Sequence, residues 1–268
     1  MKNKKLKKNF KVSRAHASEI YLNSFYSPFR REIFSNLDRI FFSTELGRKI
    51  NVDFFQKVDP RLIYKMEISR LGTEKVSNEP LLIAKKKLTK ILSVSSVKYN
   101  KRLDLIVNSL ALLDYPLEWI HIGDGNLIEE IIKLASEKLS GKVDFIFKGY
   151  LNNQEVIDFM LEGNIDYFIN LSDSEGVPVS IIEAMSCGIP CIARDIGGIS
   201  EIIKNNFNGL LIDSDCSKEI SINIKSLLEI SEENQNEMRI NAYRTWSKLY
   251  SSEVNYSLFY DQLMNNSK

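Results

Sequence analysis

Cysteine, histidine and long apolar runs are all scarce in this sequence, and each scarcity excludes something. Among 268 residues there are three cysteines, Cys187, Cys191 and Cys216. Their spacing matches no zinc or redox motif, and an odd number argues against a disulfide framework. Cys187 and Cys191 fall in an apolar stretch and read as core residues, which fits a reducing, cytoplasmic setting. No apolar run approaches the ~20 residues that a membrane-spanning helix needs. The opening MKNKKLKKNFK is basic but lacks the apolar segment of a signal peptide. The clustered lysines lack interleaved aromatics, so nucleic acid is not an expected partner.

The formal net charge is +1, but it is unevenly distributed. Residues 1–90 carry 21 Lys and Arg against 9 Asp and Glu, and the remainder carries 15 against 26. Such a split suggests different partners for the two parts. The basic part suits an anionic membrane surface or an anionic acceptor, and equally a simple solvated face.

The informative stretch runs from Asn170 to Gly209. Tyr167 to Leu171 and Ile189 to Ala193 are short apolar runs of strand type, and between them lie a glycine turn and an apolar helical run. Strand, turn, helix and strand make one βαβ unit, which requires a parallel sheet and a right-handed crossover. Pro178 suits the first helical turn, where a missing N–H costs nothing. The N–H groups of Val179, Ser180 and Ile181 would then point out of the helix start, a ready site for phosphate. Glu175 lies in the loop before the helix and Glu183 just over one turn into it, with seven residues between them. A carboxylate at that place can accept hydrogen bonds from a diol such as ribose. Anion-binding amides next to a diol acceptor suggest a nucleoside diphosphate.

Glu175 and Glu183, with Gly176, Pro178, Ala184, Gly188, Pro190, Gly197-Gly198, Glu201, Asn208 and Gly209, resemble the E-x7-E signature of GT-B glycosyltransferases. The resemblance is to the retaining group called family 4, or glycosyl transferases group 1. It implies an α/β fold of GT-B type, with a C-terminal Rossmann-like parallel-sheet domain and an N-terminal α/β domain. It implies sugar transfer from a nucleoside-diphosphate sugar to an acceptor hydroxyl with retention, no metal and no other cofactor. Polysaccharide or glycolipid assembly is the family's usual setting. The expected partners are the donor and a glycan or lipid-linked acceptor, with peripheral contact at the inner face of the cell membrane.

The expected domains are residues 1–80 on the acceptor side, a linker at 81–90, the nucleotide-sugar domain at 91–231, and C-terminal helices at 232–268. In the first, Phe10 to Ala15, Asp38 to Thr44 and Tyr64 to Leu71 read as strands. Helices are expected over Ser18 to Asn36, broken at Ser27-Pro28, and over Glu45 to Val58. The family's N-terminal domain has further strands upstream. The expectation is therefore an incomplete domain, its remainder absent or carried by a partner chain. From Ile91 onward six strands alternate with helices, as in a Rossmann-like domain. The aromatic C-terminal helices either cross back to the first domain, as the resemblance implies, or pack locally.

By the same resemblance the loop Ser95 to Arg102 carries the cations for the donor diphosphate. Lys101 matches the family lysine. Ser96 stands where the family usually has arginine, and Arg102 supplies the second cation in members with a Lys-Arg pair. Gly123-Asp124-Gly125 resembles a family turn. Gly149 would let the nucleotide base approach the backbone closely. Glu175 would face the sugar, Gly176, Val179 and Ser180 the phosphates, and Glu183 the ribose. Gly197-Gly198 reads as a structural turn. His16 maps to a family histidine near the reacting sugar, with Arg14 beside it, and His121 sits in an apolar strand pattern and reads as core. No Asp-x-Asp motif stands in this cleft. Asp173-Ser174-Glu175 only superficially resembles one. The alternatives are a nucleotide-sugar-binding fragment or subunit without turnover, another GT-B enzyme such as an epimerase or phosphorylase, and a degenerate product.

Overall fold

A computed structural model describes residues 10–15, 29–84 and 87–266. The chain forms two compact units, Met1–Glu74 with Lys248–Lys268, and Lys75–Ser247. Residues 75–80, expected with the first domain, and residues 232–247, expected with the last, therefore belong to the second unit.

In the first unit, β1 (Val12–Ala15), β2 (Arg39–Phe42) and β3 (Met66–Ile68) form a parallel sheet in that order. Helix α1 (Arg30–Ser35) precedes β2 and α2 (Glu45–Val58) follows it. The Thr44 side chain caps α2 by accepting from the Gly47 N–H at 3.0 Å. Tyr64 and Lys65, expected in the third strand, lie instead in a 3-10 turn over Pro60–Lys65. Pro60 opens that turn, its fixed φ suiting a first helical position. The middle strand is buried on both faces, with Ile40, Phe41 and Phe42 fully inaccessible. Phe55 of α2 packs in the cluster with Ile40 and Phe42. Phe41 meets Phe259 edge to face at 4.9 Å, on the C-terminal helix α10 (Ser252–Asn266). That helix is fastened by Asn255, whose amide donates to the Leu71 and Leu249 carbonyls at 2.7 and 2.8 Å.

The second unit is a six-stranded parallel sheet. Its strands are β4 (Thr89–Val94), β5 (Leu117–Ile122), β6 (Asp144–Phe147), β7 (Tyr167–Asn170), β8 (Cys191–Arg194) and β9 (Gly209–Ile212). They lie in the order β6-β5-β4-β7-β8-β9. The helices are α3 (Leu103–Leu110), α4 (Ile128–Leu139), α5 (Asn153–Glu162), α6 (Val179–Ser186), α7 (Ile199–Ile202), α8 (Ser217–Leu228) and α9 (Glu232–Leu249). This order reverses between β4 and β7, the switch point where doubly wound sheets place ligands. One apolar cluster holds Ile106 and Leu110 of α3, Trp119 of β5, Ile131 of α4 and Ile224 of α8, all almost fully buried. Burial of each such side chain contributes about 1.5–3 kcal/mol.

Residues 75–84 run along α9. Asn236 both donates to and accepts from the Ile83 backbone at 3.2 Å, and the Tyr243 hydroxyl donates to the Ser77 carbonyl at 2.8 Å. Arg239, 1% exposed, donates to the Leu81 carbonyl and, at 2.9 Å, to that of Ile165. Burial pulls its guanidinium down to about 10, with Asp166 opposing the shift. The spacing 236, 239, 243 puts all three side chains on one helical face.

Candidate active site

The loops at the carboxyl edge of the six-stranded sheet are joined by backbone hydrogen bonds. Val97 N–H donates to Asp124 O at 3.0 Å, Gly123 N–H to Gly149 O at 2.8 Å, and Asp173 N–H to Asn100 O at 2.8 Å. Gly198 N–H donates to Gly176 O at 2.9 Å. The glycines permit this closeness. A Cβ on Gly123 would lie 1.9 Å from the Ser95 carbonyl oxygen, and one on Gly197 (φ +55°) 1.8 Å from that of Glu175. The double glycine is thus the seat on which the Glu175 loop rests.

Across the switch point, Lys101 Nζ donates to Glu175 Oε1 at 2.5 Å, with side chains 21% and 12% exposed. One charge comes from the loop after β4 and the other from the loop after β7. Arg102 is turned to a different use. In the left-handed conformation (φ 50°, ψ 44°), it donates from Nε to Asp104 at 3.1 Å and from Nη1 to Asp173 at 3.0 Å. Asp104 first, and Asp173 after it, hold this guanidinium above its ordinary value against desolvation. Asp173 also accepts from Arg194 at the end of β8, so one carboxylate ties together three strand ends. Arg102 and Asp173 line a cleft of about 510 Å³ with Tyr99, Leu127 and Glu130, whose lining includes neither Lys101 nor Glu175.

Helix α6 begins one residue later than expected, with Pro178 as its N-cap. Ile181 N–H, expected to point outward, donates to the Pro178 carbonyl at 3.1 Å, as Ile182 N–H does at 3.3 Å. That leaves the Val179 and Ser180 amides at the mouth of the helix without a protein acceptor among the described residues. Glu183, 8% exposed, accepts from Asn153 Nδ2 at 2.6 Å. Burial pushes its carboxyl up from the ordinary value, and the Asn153 hydrogen bond opposes that shift. Gly149 adopts φ +70°, with open space where a Cβ would stand.

His16 lies outside the described residues, as do the helical stretch expected before Pro28 and the linker residues 85 and 86. Arg14, weighed as an anion ligand, instead donates from Nη2 to the carbonyls of Ser69 and Arg70 at 2.7 and 2.5 Å and stacks over Phe259. His121 is fully buried. The Ser93 hydroxyl accepts from Trp119 Nε1 at 2.9 Å and shares a second hydrogen bond, also 2.9 Å, with His121 Nδ1. Burial pulls this histidine down to about 4, the Ser95 carbonyl opposing, so it is neutral at physiological pH. Among the described residues no group of three or more His, Cys, Asp and Glu side chains could hold a metal ion.

Asn153, Arg194 and the linking role of Asp173 were not among the sequence candidates. For Asn153 a signal existed. Asn152 and Glu155 form a capping box, with bonds of 3.1 and 2.8 Å, which starts α5 at Asn153. Arg194 and Asp173 carry no comparable local pattern.

The parallel sheets, the switch point and the linked strand-end loops define a GT-B type α/β protein. The likeness to solved structures agrees. The chain superposes on the Anabaena Alr3699/HepE crystal structure in complex with UDP and glucose with a TM-score of 0.75 at 17% identity, covering 94% of this chain and 70% of that one. The pneumococcal O-GlcNAc transferase GtfA, in complex with UDP and GlcNAc, gives 0.71 at 16% identity, covering 95% and 52%. Residues 77–245 match the family described as glycosyl transferases group 1, and the chain belongs to that family. Among curated relatives, the Escherichia coli O-antigen biosynthesis glycosyltransferase WbnH is 34% identical over 126 residues, 47% of this chain and 33% of the relative. The E. coli UDP-Gal:alpha-D-GlcNAc-diphosphoundecaprenol alpha-1,3-galactosyltransferase is 33% identical over 95 residues, 35% of this chain and 24% of the relative. The matches thus span a third or less of the length of these two relatives.

Proposed function

We propose that this chain binds a nucleoside-diphosphate sugar at the β4/β7 switch point and transfers the sugar to an acceptor hydroxyl, with retention at the anomeric carbon and without a metal. The observation that carries this is the Lys101–Glu175 pair, 2.5 Å across the switch point, with Glu175 in the loop that leads into α6. In the transfer, the bond between the anomeric carbon and the diphosphate oxygen breaks, its electrons staying on the nucleoside diphosphate. The acceptor oxygen bonds the anomeric carbon and passes its proton to the departing diphosphate oxygen.

Charge builds on the leaving diphosphate, so the groups that matter most are donors already aimed there. Lys101 and the amides of Val179 and Ser180 at the positive end of α6 supply them. Gly176 keeps the backbone before the helix free of a side chain. Glu175, held by Lys101, faces the sugar and accepts from its hydroxyls, and Glu183 accepts from the ribose. The Arg102–Asp173–Arg194 cluster fixes the two loops, so Lys101 is the principal side-chain cation. Gly149 leaves room for the base.

The acceptor is a glycan or lipid-linked glycan in polysaccharide or glycolipid assembly, at the cytoplasmic face of the membrane. Curated relatives named for O-antigen biosynthesis and for a diphosphoundecaprenol acceptor support this. So does the basic character of residues 1–90, where Arg61 and Tyr64 are 84% and 86% exposed. Among the described residues, no helix is long and apolar enough to cross a membrane.

Calorimetric titration of the full chain with UDP, GDP and ADP, with and without EDTA, tests the donor site. Binding of one nucleotide, unchanged by EDTA, is expected, followed by transfer from the matching sugar donor. Binding without transfer would favour a nucleotide-sugar-binding subunit. No binding to the folded chain would refute the donor site.

A further inference from the structure

Glu183 is a buried carboxylate with little support. An ionised carboxylate has about four acceptor positions, and a single protein partner leaves most of them to water or a ligand. Here the side chain has one partner among the described residues, Asn153 at 2.6 Å, while 92% of Glu183 is out of reach of solvent. Asn153 is itself placed firmly. It is the first residue of α5, directly after the N-cap Asn152 and inside the reciprocal Asn152–Glu155 capping box. Its amide thus reaches from the start of one helix to the second turn of another, α6, and fixes one oxygen of Glu183.

We propose that Asn153 is a positioning residue for donor recognition: it fixes the Glu183 carboxylate so that the remaining acceptor positions meet the 2′- and 3′-hydroxyls of the donor ribose. This rests on the ribose role of Glu183 proposed above. A glutamate free to turn about three side-chain bonds must be ordered when the ribose arrives. A glutamate already held avoids that loss, which corresponds to an affinity difference on the order of tenfold. The neutral amide also suits the task chemically. It donates to the ionised carboxylate and favours the form that accepts from hydroxyls, while adding no charge that would compete for the diphosphate.

The test compares one nucleotide with its 2′-deoxy counterpart by calorimetry on the full chain, using whichever of UDP, GDP and ADP binds the wild type. The ratio of the two affinities reports ribose recognition, and damage to the fold would lower both affinities alike and leave the ratio unmoved. Asn153→Ala should weaken the ribonucleotide about tenfold and the deoxynucleotide far less, so the ratio shrinks. Asn153→Asp, which sets a second carboxylate against Glu183, should shrink it at least as much at pH 8. Glu183→Ala separates the two layers of the idea. If it abolishes the ratio while Asn153→Ala leaves it intact, the role of Asn153 is overturned and that of Glu183 stands. If Glu183→Ala leaves the ratio intact, or no nucleotide binds the wild type, the ribose role of Glu183 fails and the proposal with it. Equal losses for both nucleotides in Asn153→Ala would also overturn it, since that is the mark of a general structural effect.

Discussion

Replacing Lys101 with alanine should weaken diphosphate binding far more than nucleoside binding. Lys101 Nζ stands 2.5 Å from Glu175 Oε1, and its side chain is 21% exposed, so it is a partly sheltered cation. Two unit charges about 4 Å apart at an effective dielectric near 20 attract by about 4 kcal/mol. That is an upper figure, because water reaches the site and the lysine must share itself with Glu175. A charge-assisted hydrogen bond lost to substitution costs about 1.5–3 kcal/mol, or about 10- to 150-fold in affinity. Removal of the lysine also leaves Glu175 without its cation, adding a carboxylate's repulsion of the phosphates. A nucleoside has no phosphate to feel either change, so its affinity should move by less than about twofold on the same reasoning. Stability should fall little, by about 1 kcal/mol, since the pair is partly solvated. The assay is calorimetry with UDP and uridine, or the matching pair for another base, alongside a thermal melt. Equal losses for nucleotide and nucleoside would refute the placement of Lys101 at the diphosphate and make it a structural residue.

Three further outcomes are expected. Gly197→Ala should unfold the Glu175 loop or the whole unit. Its φ of +55° costs a side-chain-bearing residue about 1–2 kcal/mol, and the new Cβ would also lie 1.8 Å from the Glu175 carbonyl oxygen. A melt within a degree of wild type and unchanged nucleotide affinity would contradict this. Ser93→Ala should cost about 2–5 kcal/mol, because it strands the Trp119 N–H and the His121 Nδ1 in a dry interior. Urea denaturation reads the loss, and a change under about 1 kcal/mol would mean that water or a repacked neighbour satisfies both groups. Glu183→Gln should alter the pH dependence of stability. Burial raises the folded-state carboxyl of Glu183 above its ordinary 4.5, so the native chain holds this proton more tightly than the unfolded chain does. Wild-type stability therefore falls as pH rises from below 4.5 through the raised folded value, and Glu183→Gln lacks that fall. The variant should gain on wild type between pH 4 and pH 8 in thermal melts. A constant difference across that range would show that the carboxyl is not shifted by burial.

Much of the second unit was legible because its signals are local. Short apolar runs mark β5, β7 and β9 to within a residue, β5 closing on the Gly123-Asp124-Gly125 turn, and the apolar spacing of Leu103, Ile106, Val107 and Leu110 marks α3. Glu45–Val58 forms as one helix because Thr44 caps it and Pro60 ends it. The differences from expectation have separate causes. Tyr64 and Lys65 have strand character, yet Lys65 Nζ donates to the Leu37 carbonyl at 2.6 Å and the segment winds into a 3-10 turn. Pro178 is the cap and not the first helical residue because its backbone is extended, with ψ 130°.

The sequence by itself determined the order of elements, the parallel character of the sheet, and the placement of Lys101 and Glu175 in loops after strands and of Glu183 within the helix that follows. These follow from periodicity and turn chemistry, which act over a few residues. Tertiary structure alone decided which charges pair. Lys101 and Arg102 are adjacent in the chain and equally suited to a phosphate, yet Lys101 meets Glu175 while Arg102 is taken by Asp104 and Asp173. The left-handed backbone at Arg102 and the reversal of strand order beside β4 send the two side chains to different partners. The same holds for Asn153 and Glu183, thirty positions apart and joined only because α5 and α6 start side by side. A carboxylate's partner depends on what folding brings within 3 Å of it, and no local pattern encodes that.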